Sequence, residues 1–84
     1  MNLPDDVKAF WVKEAQDGRE AWHRILSEVE IWLRVAEQCD GLEELELADF
    51  YRKSAERDKS RAEHVISRVH QIEGYLAGEI EAWW

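Results

Sequence analysis

Cysteine and proline are almost absent from this sequence, which has one of each in 84 residues. The single cysteine, Cys39, has no second thiol in the chain to pair with, so a disulfide-stapled scaffold is excluded. This usage favours a reducing, cytoplasmic setting. The single proline, Pro4, lies near the start, and no Pro/Gly/Ser-rich linker follows it. We therefore expect one domain that covers residues 1–84.

Long apolar runs and an excess of positive charge are also missing. No run approaches the ~20 apolar residues of a membrane-spanning helix, and the N-terminus lacks the basic and apolar regions of a signal peptide. The chain carries 11 basic and 19 acidic residues, a net charge of −8. Such a surface repels phosphates and anionic lipids, so we expect neither direct nucleic-acid binding nor membrane association. Basic proteins and metal ions are the partners that this charge favours.

The motifs of common catalytic sites are absent as well. There is no threonine, no glycine-rich phosphate loop and no strand-to-helix nucleophile elbow. Cys39 lies at the predicted end of a helix, with no histidine close to it in the predicted fold. We expect neither enzymatic activity nor a cofactor.

The residues that are present follow a helical pattern. Pro4, Asp5 and Asp6 are typical of a helix start, because proline suits the first turn and carboxylates complement the positive end of the helix dipole. Apolar and small residues then recur at alternating steps of four and three, which places them on one helical face. This stripe consists of Trp11, Ala15, Gly18, Trp22, Ile25, Val29, Trp32, Ala36 and Cys39. The pattern predicts helix 1 over about residues 4–39.

A second stripe of the same spacing follows a break at Asp40 and Gly41. These two residues predict a tight turn at 40–41, with Gly41 as the left-handed residue that closes helix 1. The second stripe runs from Ala48 to Trp83 and predicts helix 2 over about residues 42–83. The predicted fold class is therefore all-α, an antiparallel hairpin of two long helices. With the turn centred at this point, the numbers of facing residues sum to about 81.

Each predicted helix carries an apolar arc that covers about half of its circumference, which is wider than one partner helix can bury. A lone hairpin would leave tryptophan, phenylalanine and leucine in water. Two hairpins that dimerise into a four-helix bundle would cover these faces, and twofold dimers are the commonest oligomers. We therefore expect a homodimer whose core and interface include Trp11, Trp22, Trp32, Phe50 and Asp58.

Asp58 is the one charged residue at the centre of the second stripe. A buried carboxylate needs a hydrogen-bonding or ionic partner. The predicted register offers the indole N–H of Trp22, the imidazole of His23 or the guanidinium of Arg61. A polar contact of this kind can fix the register or the oligomeric state of a bundle.

Two further features predict a binding function. Between residues 37 and 49 the chain carries no basic residue and six acidic ones, namely Glu37, Asp40, Glu43, Glu44, Glu46 and Asp49. We interpret this segment, termed the acidic tip, as a surface that docks on a basic region of another protein. Trp83 and Trp84 form a second candidate partner site, because tryptophan is enriched at binding hot spots.

Together these features predict a non-enzymatic, homodimeric interaction module that binds or inhibits a basic partner protein. One alternative is a nucleic-acid mimic of the mobile-element type, whose carboxylates occupy a phosphate-binding groove. Another is a metal-binding, ferritin-like bundle that uses Glu20, His23, Asp58 and His70. Because Glu20 and His23 fall on the outer flank of helix 1, we predict no metal site.

Overall fold

The structure is a computed structural model that describes residues 4–78. Within that range it contains two α-helices and no strand: α1 spans Asp5–Gly41 and α2 spans Leu45–Leu76. The helices pack against each other as an antiparallel hairpin, a rod that measures 59 × 17 × 15 Å. The predicted all-α hairpin is thus confirmed. Neither of these helices combines the length and the apolar character that crossing a membrane requires.

The start of α1 follows from its first residues. Pro4 is extended, with φ −55° and ψ 146°, and acts as the N-cap residue, while Asp5 and Asp6 lie in the first turn. The first helical hydrogen bond runs from the N–H of Lys8 to the carbonyl of Pro4, at 2.9 Å. No side chain caps this end. The two carboxylates therefore supply the local stabilisation, about 0.3–1 kcal/mol each through the helix dipole.

The reversal of the chain lies two residues later than predicted. Gly41 belongs to α1, and the left-handed residue is Glu43, with φ 61°. Glu44 N–H donates to the carbonyl of Cys39 at 2.8 Å, and Glu43 N–H donates to the carbonyl of Asp40 at 3.1 Å. These are the two hydrogen bonds of a Schellman motif, with Glu43 in the position that glycine usually takes. The prediction that Gly41 forms the turn was therefore wrong.

The later turn also shifts the register of the two helices. Gly18 lies against Val69, and Trp32 contacts both Tyr51 and Asp58. The two residue numbers in each of these facing pairs add up to between 83 and 90, whereas the predicted sum was 81. Each residue by which the turn moves adds two to that sum, so a turn two residues later raises the expected sum to about 85, which lies within the observed range.

The second helix ends earlier than predicted. Its last residue is Leu76, and the chain then turns through Ala77 and Gly78, where Gly78 has φ 77°. Glycine adopts this conformation without steric penalty. The prediction of one continuous helix to residue 83 was therefore wrong. Trp83 and Trp84, the predicted C-terminal partner site, lie outside the described residues.

Small residues at seven-residue spacing dominate the seam between the helices. The buried residues are Ala15, Ile25, Val29, Ala36, Ala48, Ala55, Ala62, Val69 and Ile72. A repeat of seven keeps one seam facing a partner helix. Because five of these nine residues are alanines, the seam is narrow, and the larger apolar side chains lie at its margins or outside it.

Gly18 marks a particularly close approach of the two helices. A Cβ atom at this position would overlap Cγ2 of Val69, whose side chain is only 2 % exposed. Valine is stiff at χ1 within a helix, so it cannot rotate away from an added methyl group. This contact explains a glycine in the middle of α1, where it costs about 1 kcal/mol relative to alanine.

We predict that Gly18→Ala lowers the free energy of unfolding by about 1–3 kcal/mol, because overpacking against Val69 outweighs the gain in helix propensity. Gly41→Ala is the matched control. It meets no atom within 4 Å, so it should raise the stability by a few tenths to about 1 kcal/mol. Urea unfolding followed by circular dichroism measures both. Equal stabilisation by the two substitutions would contradict the close approach.

Candidate protein-interaction surfaces

Ion pairs between the helices define one side of the hairpin. The guanidinium of Arg19 forks onto the carboxylate of Glu73, with Nη2–Oε1 at 2.5 Å and Nε–Oε2 at 3.3 Å. Nearer the turn, Arg52 pairs with Asp40. Residues seven apart share a helix face. The two ion pairs therefore lie at the two ends of a pair of facing rows of residues, one row on each helix. The rows form what we term the paired side: Arg19, Leu26, Leu33 and Asp40 on α1, and Arg52, Lys59, Ile66 and Glu73 on α2.

The charges at both ends of the paired side are thus neutralised within the chain. The four side chains in the two ion pairs are 40–48 % exposed. At that exposure each pair contributes under about 1 kcal/mol, so the pairs fix the orientation of the helices more than they stabilise them. Between the pairs, Leu26 and Ile66 are half-buried.

The opposite flank of the seam, which we term the open side, divides into two halves. It includes Phe10, Glu14, Asp17, Ala21, Arg24, Glu28, Ile31, Val35 and Leu42 from α1 and the turn, and Leu47, Phe50, Arg57, Arg61 and Arg68 from α2. Four large apolar side chains of the half near the turn are exposed: Ile31 (53 %), Leu42 (76 %), Leu47 (47 %) and Phe50 (56 %). In the half beyond them, none of the four arginines forms an ion pair with another described residue.

Trp32 of α1 contacts two side chains of α2. Its indole stacks on the ring of Tyr51, with centroids 5.5 Å apart and planes 15° apart. Its Nε1–H donates a hydrogen bond to Oδ2 of Asp58 at 3.0 Å. Asp58 is half-buried, and its partner is thus Trp32 instead of the predicted Trp22, His23 or Arg61. The shifted register is the reason, because Gly18 lies against Val69 and the residue level with Asp58 is therefore about 29, which is closer to Trp32 than to Trp22.

The tryptophans of the predicted core and dimer interface are half-buried within the single hairpin. Trp11 packs against the core cluster of Ala15, Val69 and Ile72. Trp22 is half-buried beside the ring of His23. Phe50, predicted in the same set, is instead more than half exposed. The large apolar surface that a partner could still cover therefore comes mainly from phenylalanine, leucine and isoleucine.

All six residues of the acidic tip are exposed. Two of the carboxylates are partly neutralised, since Asp40 pairs with Arg52, and Asp49 lies 2.9 Å from Nζ of Lys53. The hydrogen bond and charge of Asp49 raise the pKa of Lys53 above its ordinary value. The other four, Glu37, Glu43, Glu44 and Glu46, form no ion pair within the part of the chain that the structure describes.

Apolar side chains are interleaved with these carboxylates, a feature that the sequence-based site did not include. Leu45 is 67 % exposed and Leu33 is 47 % exposed on the paired side, in addition to Leu42 and Leu47 on the open side. The run Leu-Glu-Glu-Leu-Glu-Leu from residue 42 carries this signal. The narrow alanine seam leaves these leucines in solvent.

A shallow groove lies on the paired side next to the tip. It has a volume of about 310 Å³ and is lined by Leu33, Arg34, Ala36, Glu37 and Arg52. The groove combines an apolar floor with charged edges. It can accept one side chain of a partner, with polar groups on both rims to orient it.

The residues of the metal-binding alternative do not converge. Glu20, His23 and His70 are exposed, and Asp58 is held by Trp32. Across residues 4–78, no three histidine, cysteine, aspartate or glutamate side chains come together as a metal site.

Comparisons with protein-family models, with curated proteins and with solved structures find no match to this chain. Function is therefore argued from the chemistry of the surfaces alone.

We predict that Trp32→Phe lowers the free energy of unfolding by about 1–2 kcal/mol, because it leaves the carboxylate of Asp58 without its donor. The matched control is the double variant Trp32→Phe/Asp58→Leu. It removes both polar partners and should recover most of the loss, since leucine suits this position of a seven-residue repeat. Thermal and urea unfolding compare the variants. A single variant as stable as the parent would show that the hydrogen bond contributes nothing.

Proposed function

We propose that this protein is a non-enzymatic, cytoplasmic interaction module that homodimerises into a four-helix bundle and binds a basic partner protein through its acidic tip. The observation that carries the proposal is the mixed chemistry of the tip. Exposed leucines lie among carboxylates there, and four of the carboxylates have no ion-pair partner among the described residues.

Surfaces of this composition are typical of protein interfaces. Apolar side chains at the centre of an interface are buried on binding and supply most of the free energy. Charged residues at the rim raise the association rate and select the partner. On the paired side of the tip, Leu33 and Leu45 are suited to the first role, and Glu37 and Glu46 are suited to the second.

The sign of the charge identifies the chemistry of the partner. The chain as a whole has a net charge of −8, and the tip contains only acidic charge between residues 37 and 49. A partner with lysines or arginines around a protruding apolar side chain matches the exposed leucines of the tip and its carboxylates without an ion-pair partner among the described residues. Such a partner is attracted at a distance and then held by apolar contact.

Nucleic-acid mimicry receives less support from the same surface. A phosphate mimic needs carboxylates that are free and regularly spaced. Here Asp40 and Asp49 are engaged by Arg52 and Lys53, and exposed leucines separate the remaining acids. Competition by DNA or RNA for the partner would favour mimicry, whereas binding that nucleic acid leaves unchanged would favour the interaction module.

We predict that the double variant Glu37→Lys/Glu46→Lys weakens partner binding at least ~10-fold, a change of about 1.4 kcal/mol. The tagged chain is crosslinked in its own host, and the captured proteins are quantified by mass spectrometry. Glu20→Lys/Glu63→Lys is the matched control, because it makes the same change of charge at exposed positions away from the tip.

A candidate partner is a protein that the parent and the control variant capture equally and that the tip variant no longer captures. Its direct binding is then measured with purified protein at several salt concentrations, and the affinity should fall as salt rises. If no captured protein distinguishes the tip variant from the control, or if the lost protein is acidic, the acidic tip is not the binding surface.

A further inference from the structure

We infer that a second copy of this chain packs antiparallel on the open side, with a twofold axis between Ile31 and Phe50. In this arrangement Glu43 and Glu44 of each acidic tip lie over Arg57 and Arg61 of the other copy, and Glu37 and Glu46 stay on the outer surface for the proposed partner. The inference rests on the homodimer of the proposed function and specifies its face and register.

The apolar half of the open side supplies the contact surface. Ile31, Leu42, Leu47 and Phe50 are each 47–76 % exposed and come from both helices and the turn. Monomeric proteins rarely leave such contiguous apolar patches in solvent. Because these side chains lie outside the alanine seam, covering them requires no rearrangement of the hairpin.

The arginines of the open side determine which kind of surface can bind there. Arg24, Arg57, Arg61 and Arg68 form no ion pair among the described residues. In this part of the open side, Arg24, Arg57 and Arg61 outnumber the one carboxylate of Glu28. A fitting surface must therefore be apolar at Ile31 and Phe50 and acidic at the level of these arginines. A second copy offers both, because its own apolar half adjoins the acidic tip.

Helix geometry brings Ile31 onto Phe50, and the acidic tip near Arg61, in one twofold register. At about 1.5 Å per residue from Glu43, Phe50 lies about 10 Å along the rod, Ile31 about 18 Å and Arg61 about 27 Å. A twofold axis at about 14 Å brings Phe50 of one copy onto Ile31 of the other. The same axis carries the tip of one copy to about 28 Å on the other, next to Arg61.

Other arrangements are less favourable. A parallel dimer on the open side would superpose its apolar halves but would also set arginines against arginines. The paired side offers no matching charge, because Arg19 and Arg52 are already neutralised by Glu73 and Asp40. The antiparallel dimer also leaves Leu33 and Leu45 on the outer surface for the proposed partner.

Sedimentation equilibrium on the full chain tests the apolar contact. The parent should sediment as two chains of 10.0 kDa. Phe50→Ser and Ile31→Ser should each raise the dimer dissociation constant at least ~100-fold, because a twofold interface loses every contact twice. Leu33→Ser is the matched control, since Leu33 is equally exposed on the opposite side, and it should leave the constant unchanged. Circular dichroism verifies that each variant remains helical.

Charge reversal tests the register. Glu43→Lys/Glu44→Lys and Arg57→Glu/Arg61→Glu should each weaken the dimer at least ~10-fold by placing like charges together. The combination of all four substitutions should restore most of the affinity, which no purely structural effect of the variants explains. If both charge reversals weaken the dimer but their combination does not restore its affinity, the antiparallel register is overturned.

The outcomes separate this inference from the proposed function. A dimer that survives Phe50→Ser and Ile31→Ser but is lost with Leu33→Ser overturns the open-side interface and keeps the homodimer. A parent that remains monomeric at high micromolar concentration overturns both the inference and the homodimer. Partner binding at Glu37 and Glu46 is tested separately, by the variant Glu37→Lys/Glu46→Lys and its control.

Discussion

The narrow alanine seam between α1 and α2 is the constraint on which the rest of the structure depends. Ala48, Ala55 and Ala62 occur every seven residues in α2, and each is buried. Gly18 meets Val69 so closely that no Cβ fits between them. Helices that pack through such small residues bury little side chain, so the seam cannot hold the larger apolar residues. Those residues consequently lie on the two flanks and at the turn.

The two flanks then differ in charge, and this difference gives them different uses. On the paired side, arginine and carboxylate meet across the helices near both ends. On the open side, apolar residues occupy the half near the turn, and arginines without an ion-pair partner among residues 4–78 occupy the other half. A neutralised flank suits an outward surface, whereas a flank with exposed apolar residues next to arginines without an ion-pair partner suits an antiparallel copy whose acidic tip reaches those arginines.

The helices could be predicted from the sequence because their signals are local. The stripe at steps of three and four fixed the helical type, and Pro4 with Asp5 and Asp6 fixed the start of α1. The turn could not be placed as well. Gly41 was the expected left-handed residue, yet Glu43 takes that conformation, because the two backbone hydrogen bonds that close α1 outweigh the preference for glycine. That local choice set the register and hence the partner of Asp58.

The candidate site was predictable only in part, for a related reason. The acidic tip is visible as a run of one charge, and all six of its residues are exposed. Leucine was expected in water on a lone hairpin, but its place within the acidic tip was not predicted, because periodicity alone does not tell which apolar residues of a stripe are buried. Whether such a residue is buried depends on the width of the seam, which the alanines determine only after the helices have paired.

We propose that the large apolar residues excluded from the seam form contacts between molecules on one flank. Methyl NMR with a soluble paramagnetic agent, recorded on dilute and on concentrated protein, tests this claim most directly. We predict that the methyl groups of Ile31, Leu42 and Leu47 become protected from the agent as the concentration rises, while those of Leu33 and Leu45 remain accessible. Protection of Leu33 and Leu45 instead, or no change at any methyl group, would contradict it.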